Sequence, residues 1–226
     1  MSDDPYVASR VRAMRSRLLD GSRYAALLAT ADLPGFIRLL QDTPYRAVFH
    51  GDESGMDASA IEDGLRRDLR ATIGVLRSAC NERWRALLDV LVGRWEVANL
   101  KTVLWGRGRG ASVEDVLAGV YPIGWSDEVA LAELARQPTL DRVADTLVAW
   151  RHPLSRPLKM ALLGRARLGL ADARVDVLAV EAALDRAFLV CAHDALDPER
   201  ESNRSLVTYL GYVIDVGNLV TAMNRR

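Results

Sequence analysis

The feature that most constrains the fold is an echo between the middle of the chain and its last residues. Shifting the chain by 119 residues, Asn99 onto Asn218, lays Arg85–Arg107 over Arg204–Arg226. Eight positions are then identical: Arg85/Arg204, Leu87/Leu206, Leu91/Leu210, Val97/Val216, Asn99/Asn218, Leu100/Leu219, Thr102/Thr221 and Arg107/Arg226. Glu96 and Asp215 keep the charge. The same shift pairs the preceding segment without a gap, with Glu62/Glu181, Leu65/Leu184 and Arg67/Arg186 identical. Two unrelated leucine-rich helices share leucines, but not also Glu, Arg, Asn and Thr in one register. A duplicated unit is therefore expected.

Each copy reads as helix. Val7, Val11, Met14 and Leu18 fall on one helical stripe, as do Ile61, Leu65, Leu69, Ile73, Leu76 and Cys80, and later Val177, Val180, Leu184, Phe188 and Cys191. Asp32, Ser112 and Thr139 are suited to cap helices, and Pro34 fits a first turn. His152–Pro153 ends a segment, because the residue before proline avoids the α region. A helix from about Asn81 to Trp105 is expected to break at the following Gly-Arg-Gly-Arg-Gly, and a last helix to run from about Ser202. Strand signals are few, so the fold class is all-α. The earlier segments match at a different offset, ADLPGFIRLLQDTP against PTLDRVADTLVAWRHP, which an insertion around residues 154–172 explains. The units divide as 1–110 and 111–226.

Composition excludes several functions. Lys+Arg and Asp+Glu each total 30, so no net charge favours nucleic acid. No stretch approaches the roughly 18 apolar residues of a membrane span. The acidic start, MSDDPY, has no apolar signal region. Cys80 and Cys191 lie on apolar faces and read as small hydrophobes. A soluble, cytoplasmic protein without a disulfide framework is expected.

Catalytic constellations do not stand out. His50 lies near Asp52, Glu53 and Asp57, but the spacing does not fit a calcium loop. Cys191 and His193 are too close in sequence to share a helix face. WGRGRGAS lacks the Gly-Lys-Ser/Thr ending of a phosphate-binding loop. The recurrent acids Glu62/Glu181 and Glu96/Asp215 suggest salt bridges, with Arg67/Arg186 and Arg85/Arg204 as partners. Asn99 and Asn218 are expected to be buried amides that tie their helices to a neighbour, since buried polar groups are nearly always hydrogen-bonded. No catalytic, cofactor or metal residue is assigned. The motif residues are Glu96, Asn99, Leu100 and Thr102, repeated as Asp215, Asn218, Leu219 and Thr221.

Taken in order, YVASRVRAMRSRLLD, YAALLATADLPGFIRLLQDTPY, EVANLKTVLWGR, ASVEDVLAGVYPIGWSDEVALAEL, VEAALDRAFLV and DVGNLVTAMNRR resemble the C subunit of the V/A-type rotary ATPases, the relative of the d subunit of eukaryotic vacuolar ATPases. The resemblance implies tandem helical repeats in a funnel with pseudo-threefold symmetry, with two of three units represented here. It implies a non-catalytic central-stalk subunit that couples the rotor shaft to the membrane proteolipid ring during proton or sodium translocation. The implied partners are shaft and ring subunits, with no nucleic acid and no membrane span of its own. The implied location is cytoplasmic, peripheral to the membrane. A two-unit chain would leave open interfaces and is expected to self-associate or take a partner there. The alternative is a helical scaffold or adaptor built from the duplicated module, with no rotor partner.

Overall fold

The structure is a computed structural model that describes residues 5–48, 57–167, 177–196 and 203–224. Every regular element among these residues is helical. The chain divides into two compact units, residues 1–81 and 82–226.

The first unit comprises α1 (Pro5–Arg15), α2 (Gly21–Leu28), α3 (Leu33–Gln41), a 3-10 turn (Pro44–Val48) and α4 (Ala58–Ala79). Side-chain caps set three helix starts. Asp20, Asp32 and Asp57 accept the N–H of Arg23, Gly35 and Ala60, each satisfying a donor that the first turn leaves unpaired. The core is small: Val7, Leu27, Ile37, Leu40 and Ile61 are buried. The stripe expected on α1 is buried at Val7 and half-buried at Met14, while Val11 and Leu18 are exposed. On α4 the expected stripe is buried at Ile61 and half-buried from Leu65 to Leu76.

The second unit comprises α5 (Glu82–Arg109), α6 (Val113–Ala118), α7 (Glu128–Arg136), α8 (Leu140–Ala149), α9 (Ser155–Arg167), α10 (Val177–Asp194) and α11 (Arg204–Asn224). Helix α5 is its spine and packs against α6, α7, α8 and α10. Ser112, Asp127 and Thr139 cap α6, α7 and α8. Contrary to the expected break, α5 continues through Gly106 and Gly108. A glycine in a helix interior costs about 1 kcal/mol, and here the Val116 side chain packs where a Cβ on Gly106 would sit. The helix ends at Gly110, whose φ of 72° is left-handed. Ala111 N–H bonds to Gly106 O and Gly110 N–H to Arg107 O, the paired bonds of a Schellman stop.

The caps fall at matching places in the two expected halves. Asp20 and Asp127 are 107 residues apart, as are Asp32 and Thr139. α2–α3 thus correspond to α7–α8 at one offset, while α4–α5 correspond to α10–α11 at 119. The difference falls where the first half has the short 3-10 turn and the second has α9. The repeat expected from the sequence would divide at residues 110/111, whereas compactness divides the chain at 81/82. α5 closes the first repeat in sequence, yet its apolar surface is buried by elements of the second.

Candidate functional site

Two turns of α5 carry Glu96, Asn99, Leu100 and Thr102. All but Thr102 are buried. Glu96, Asn99 and Thr102 face the connection between α6 and α7, residues 119–127, a strap that runs antiparallel to α5 along this face. Gly119 lies against Thr102, Tyr121 bonds Asn99, Gly124 lies on Glu96, and the Trp125 ring reaches Gly93. The approach is close. A Cβ on Gly124 would come within 3.0 Å of Glu96 Cα, so any larger residue would push the strap away.

Asn99 clamps a single residue of the strap. Its Nδ2 donates to Tyr121 O at 2.6 Å, and its Oδ1 accepts Tyr121 N–H at 2.7 Å. The amide thereby replaces the ladder pairing that the irregular strap backbone lacks. Thr102 Oγ1 donates to Ala98 O within the helix, at 3.0 Å.

Glu96 gathers four donors. Its Oε2 accepts the N–H groups of Trp125 at 2.9 Å and Ser126 at 2.8 Å. Its Oε1 accepts Ser126 Oγ–H at 2.6 Å and bonds His152 Nε2 at 2.9 Å. His152 Nδ1 accepts Leu154 N–H at 3.2 Å, so that nitrogen carries no proton and Nε2 is the donor. Burial is the largest influence on the Glu96 carboxyl and pushes its pKa up; hydrogen bonds from His152 and Ser126 together outweigh it and hold the value below the ordinary one. Trp125 and His152 stack at a tilt, with centroids 5.6 Å apart.

His152 is placed by the end of α8. Arg151 adopts φ 54°, His152 N–H bonds to Leu147 O, and Arg151 N–H to Val148 O. This is a Schellman stop with arginine in the position that glycine usually fills. It turns the histidine inward, immediately before Pro153.

Carboxylate, imidazole and serine suggest a nucleophilic triad, but the bonding is wrong for one. Ser126 donates to Glu96 rather than to His152, and both His152 nitrogens are occupied. The imidazole does not face the hydroxyl, and all three side chains are buried. The arrangement is a clasp that fixes the strap and the end of α8 onto α5.

The recurrent copy is differently placed. Asp215, Asn218 and Leu219 on α11 are exposed. Thr221 belongs to α11, but its side chain lies outside the described residues, as does Arg226. The burial expected of Asn218 is therefore corrected: α11 packs on α10, and Asp215, Asn218 and Leu219 are exposed among the described residues.

The expected salt bridges are corrected at Glu96 and Glu181, while Glu62 does pair with an arginine. Glu62 bonds Arg66, one helical turn away, at 2.7 Å. Glu181 accepts the Trp105 indole N–H, which ties α10 to α5 beside the Lys101–Asp185 pair at 2.8 Å. Glu96 takes no arginine at all among its hydrogen-bond partners. His50, Asp52 and Glu53 lie outside the described residues, and Asp57 caps α4. Among the described residues, no three His, Cys, Asp or Glu side chains converge to hold a metal ion. No helix among them is long and apolar enough to cross a membrane.

His152 and Ser126 do not stand out in the sequence as partners of Glu96. They lie 56 and 30 residues from it. The usable signal is the His-Pro helix end, which can turn a histidine inward.

Comparison with known proteins agrees with the resemblance. The chain is similar to the C subunit of the V-type ATP synthase of Deinococcus radiodurans, 26% identical over 228 residues, covering all of this chain and 62% of the relative. It is similar to the C subunits of the A-type ATP synthases of Methanosarcina mazei and Methanocaldococcus jannaschii, at 27% and 25% identity over 97% and 95% of this chain. These alignments span 58% and 52% of the two archaeal proteins, so the chain covers less than two thirds of the relatives' length. The family described as ATP synthase (C/AC39) subunit matches residues 7–226, nearly the whole chain. The protein belongs to that family.

Proposed function

We propose that this chain is a non-catalytic central-stalk element of a V/A-type ion-translocating ATPase or ATP synthase, coupling the rotor shaft to the membrane proteolipid ring. The observation that carries the reading is the family match over residues 7–226, with relatives that are the C subunits of such complexes. The site's chemistry supports it. The strongest polar cluster, Glu96 with Ser126 and His152, is spent entirely on holding helices together. A torque-transmitting part needs rigid helices and broad surfaces rather than a reactive pocket. On this reading the repeats 1–110 and 111–226 are two sectors of a funnel, related by about a third of a turn in keeping with pseudo-threefold symmetry. The protein would sit at the cytoplasmic side of the membrane, held there by its partners.

Reconstitution tests the proposal. The chain, mixed with shaft and proteolipid-ring subunits of its own organism, should bind both and link ATP hydrolysis to ion movement in vesicles. Failure to bind either the shaft or the ring would sink the coupling role and favour an adaptor built from the same duplicated module.

A further inference from the structure

His152 holds two helices at once. Its Nε2–H donates to Glu96 on α5, and its Nδ1 accepts the N–H of Leu154 at the entry to α9. Its carbonyl accepts the Ser155 N–H at 3.0 Å, and Pro153 has no N–H to satisfy. One residue thus answers the donors that the start of α9 would otherwise leave unpaired. His152 and Leu154 are both buried, so an acceptor lost there is not simply replaced by water.

The cluster has no vacant place for a proton. A carboxylate offers about four acceptor sites, and Glu96 spends them on Trp125 N–H, Ser126 N–H, Ser126 Oγ–H and His152 Nε2–H. A neutral imidazole has one acceptor nitrogen, and Leu154 takes it. An added proton therefore breaks a bond, and its landing place decides which. Histidine is the side chain whose charge ordinarily changes between about pH 5 and 8, above the carboxylate range. His152 is also the more accessible of the two, 9% exposed against 0% for Glu96. Among the described residues, Glu96 is the acid within ion-pair distance of the ring. Asp127 of the strap caps α7, Asp145 of α8 pairs with Lys159 of α9 at the surface, and Arg151 and Arg156 are exposed.

We propose that His152 is an acid-operated latch on α9: a proton taken from solvent at Nδ1 displaces the Leu154 N–H and frees the first turn of α9, while the ring stays on Glu96. Nδ1 and the Leu154 nitrogen lie 3.2 Å apart, so two donors then face each other. On the other side of the ring, the bond to Glu96 becomes charge-assisted at both ends, and such bonds are roughly twice as strong as neutral ones. The hold on α5 tightens as the hold on α9 is released. α9 packs on α8 and α10, so the latch sets how firmly the α8–α9 hairpin is kept in place. The inference rests on the geometry of this cluster and not on the coupling role.

NMR of the full chain tests it. At about pH 8 the ring nitrogens of His152 should report the Nε2–H tautomer. Between about pH 8 and pH 5 the ring should gain a proton, and the protection of the Leu154 amide against hydrogen exchange should fall at least tenfold. The amides of Trp125 and Ser126 should stay protected over that range. His152→Asn keeps an acceptor where Nδ1 sits and should leave Leu154 protected at every pH. His152→Gln keeps a donor where Nε2 sits and should leave Leu154 unprotected at every pH. The unmodified chain should pass from the first behaviour to the second on acidification, and its own titration decides the matter if either variant fails to fold. An Nδ1–H tautomer at about pH 8, or Leu154 protection that ignores the ring's charge, would overturn the proposal. So would loss of protection at Trp125 and Ser126 together with Leu154, which would put the proton on Glu96.

Discussion

Helices α5 and α11 share Val, Asn, Leu and Thr in one register, yet one is the spine of its unit and the other lines its edge. On α5 the acid and the amide are consumed by the strap, and Leu100 is fully buried. On α11 the same residue types stand in solvent. The difference lies in the neighbouring chain. α5 leads at once into α6, the strap and α7, which fold back along it. Helix identity thus sets which residues share a face, and the next segment decides whether that face becomes core. A packing motif and an exposed helix face are the same sequence in two contexts.

The largest expected effect separates the two acids. Glu96→Ala leaves the N–H groups of Trp125 and Ser126, and the His152 ring, without their acceptor inside the core. Breaking such a buried charged network costs about 3–5 kcal/mol. Asp215→Ala, at an exposed site, should change stability by less than about 0.5 kcal/mol. Urea denaturation at low protein concentration measures both, and equal losses would erase the distinction drawn between the two helices. The acid also predicts a pH limb. The folded-state pKa of Glu96 is lowered, so its contribution is fully present above the ordinary value of 4.5 and is lost as pH falls through the lowered one. Glu96→Gln should flatten that acid limb of the stability curve.

The amides give a smaller contrast. Asn99→Leu strands the N–H and the carbonyl of Tyr121 and should cost roughly 1–3 kcal/mol. Asn218→Leu strands no hydrogen-bond partner among the described residues and should be close to neutral. Thermal or chemical unfolding compares them directly. A loss at Asn218 equal to that at Asn99 would mean that the α11 face is covered in solution even by the isolated chain.

Much of this fold is legible in the sequence because its signals are local. Asp32, Ser112 and Thr139 act as caps for reasons confined to one helical turn. The buried positions Val180, Leu184 and Phe188 follow from periodicity alone. Periodicity misleads at Val11 and Leu18 for the reason that burial misleads at Asn218: it defines a face without saying what lies against it. The Gly-Arg-Gly-Arg-Gly run misplaces the end of α5 because the packing of Val116 offsets propensity at Gly106. The Glu96 cluster is out of reach for a different cause. Its donors come from the strap and from the turn after α8, and only the folded chain joins those segments.

The smallest effect tests what holds His152 to α5. Arg151 occupies left-handed backbone at φ 54°, which costs an L-residue with a Cβ about 1–2 kcal/mol. Glycine removes that cost but adds freedom to the unfolded chain, worth roughly 0.4–1 kcal/mol in the opposite direction. Arg151→Gly should therefore stabilise by about 0.5 kcal/mol, read as a small upward shift in the melting temperature. The turn is pinned from both sides, by the paired helix-end bonds and by the Glu96–His152 bond. In a Glu96→Ala background one of those pins is gone, and arginine is freer to leave the strained conformation. The gain from glycine should then shrink. A gain that stays the same with and without Glu96 would show that the helix-end bonds alone fix the turn, and that the clasp on α5 receives His152 without holding it there.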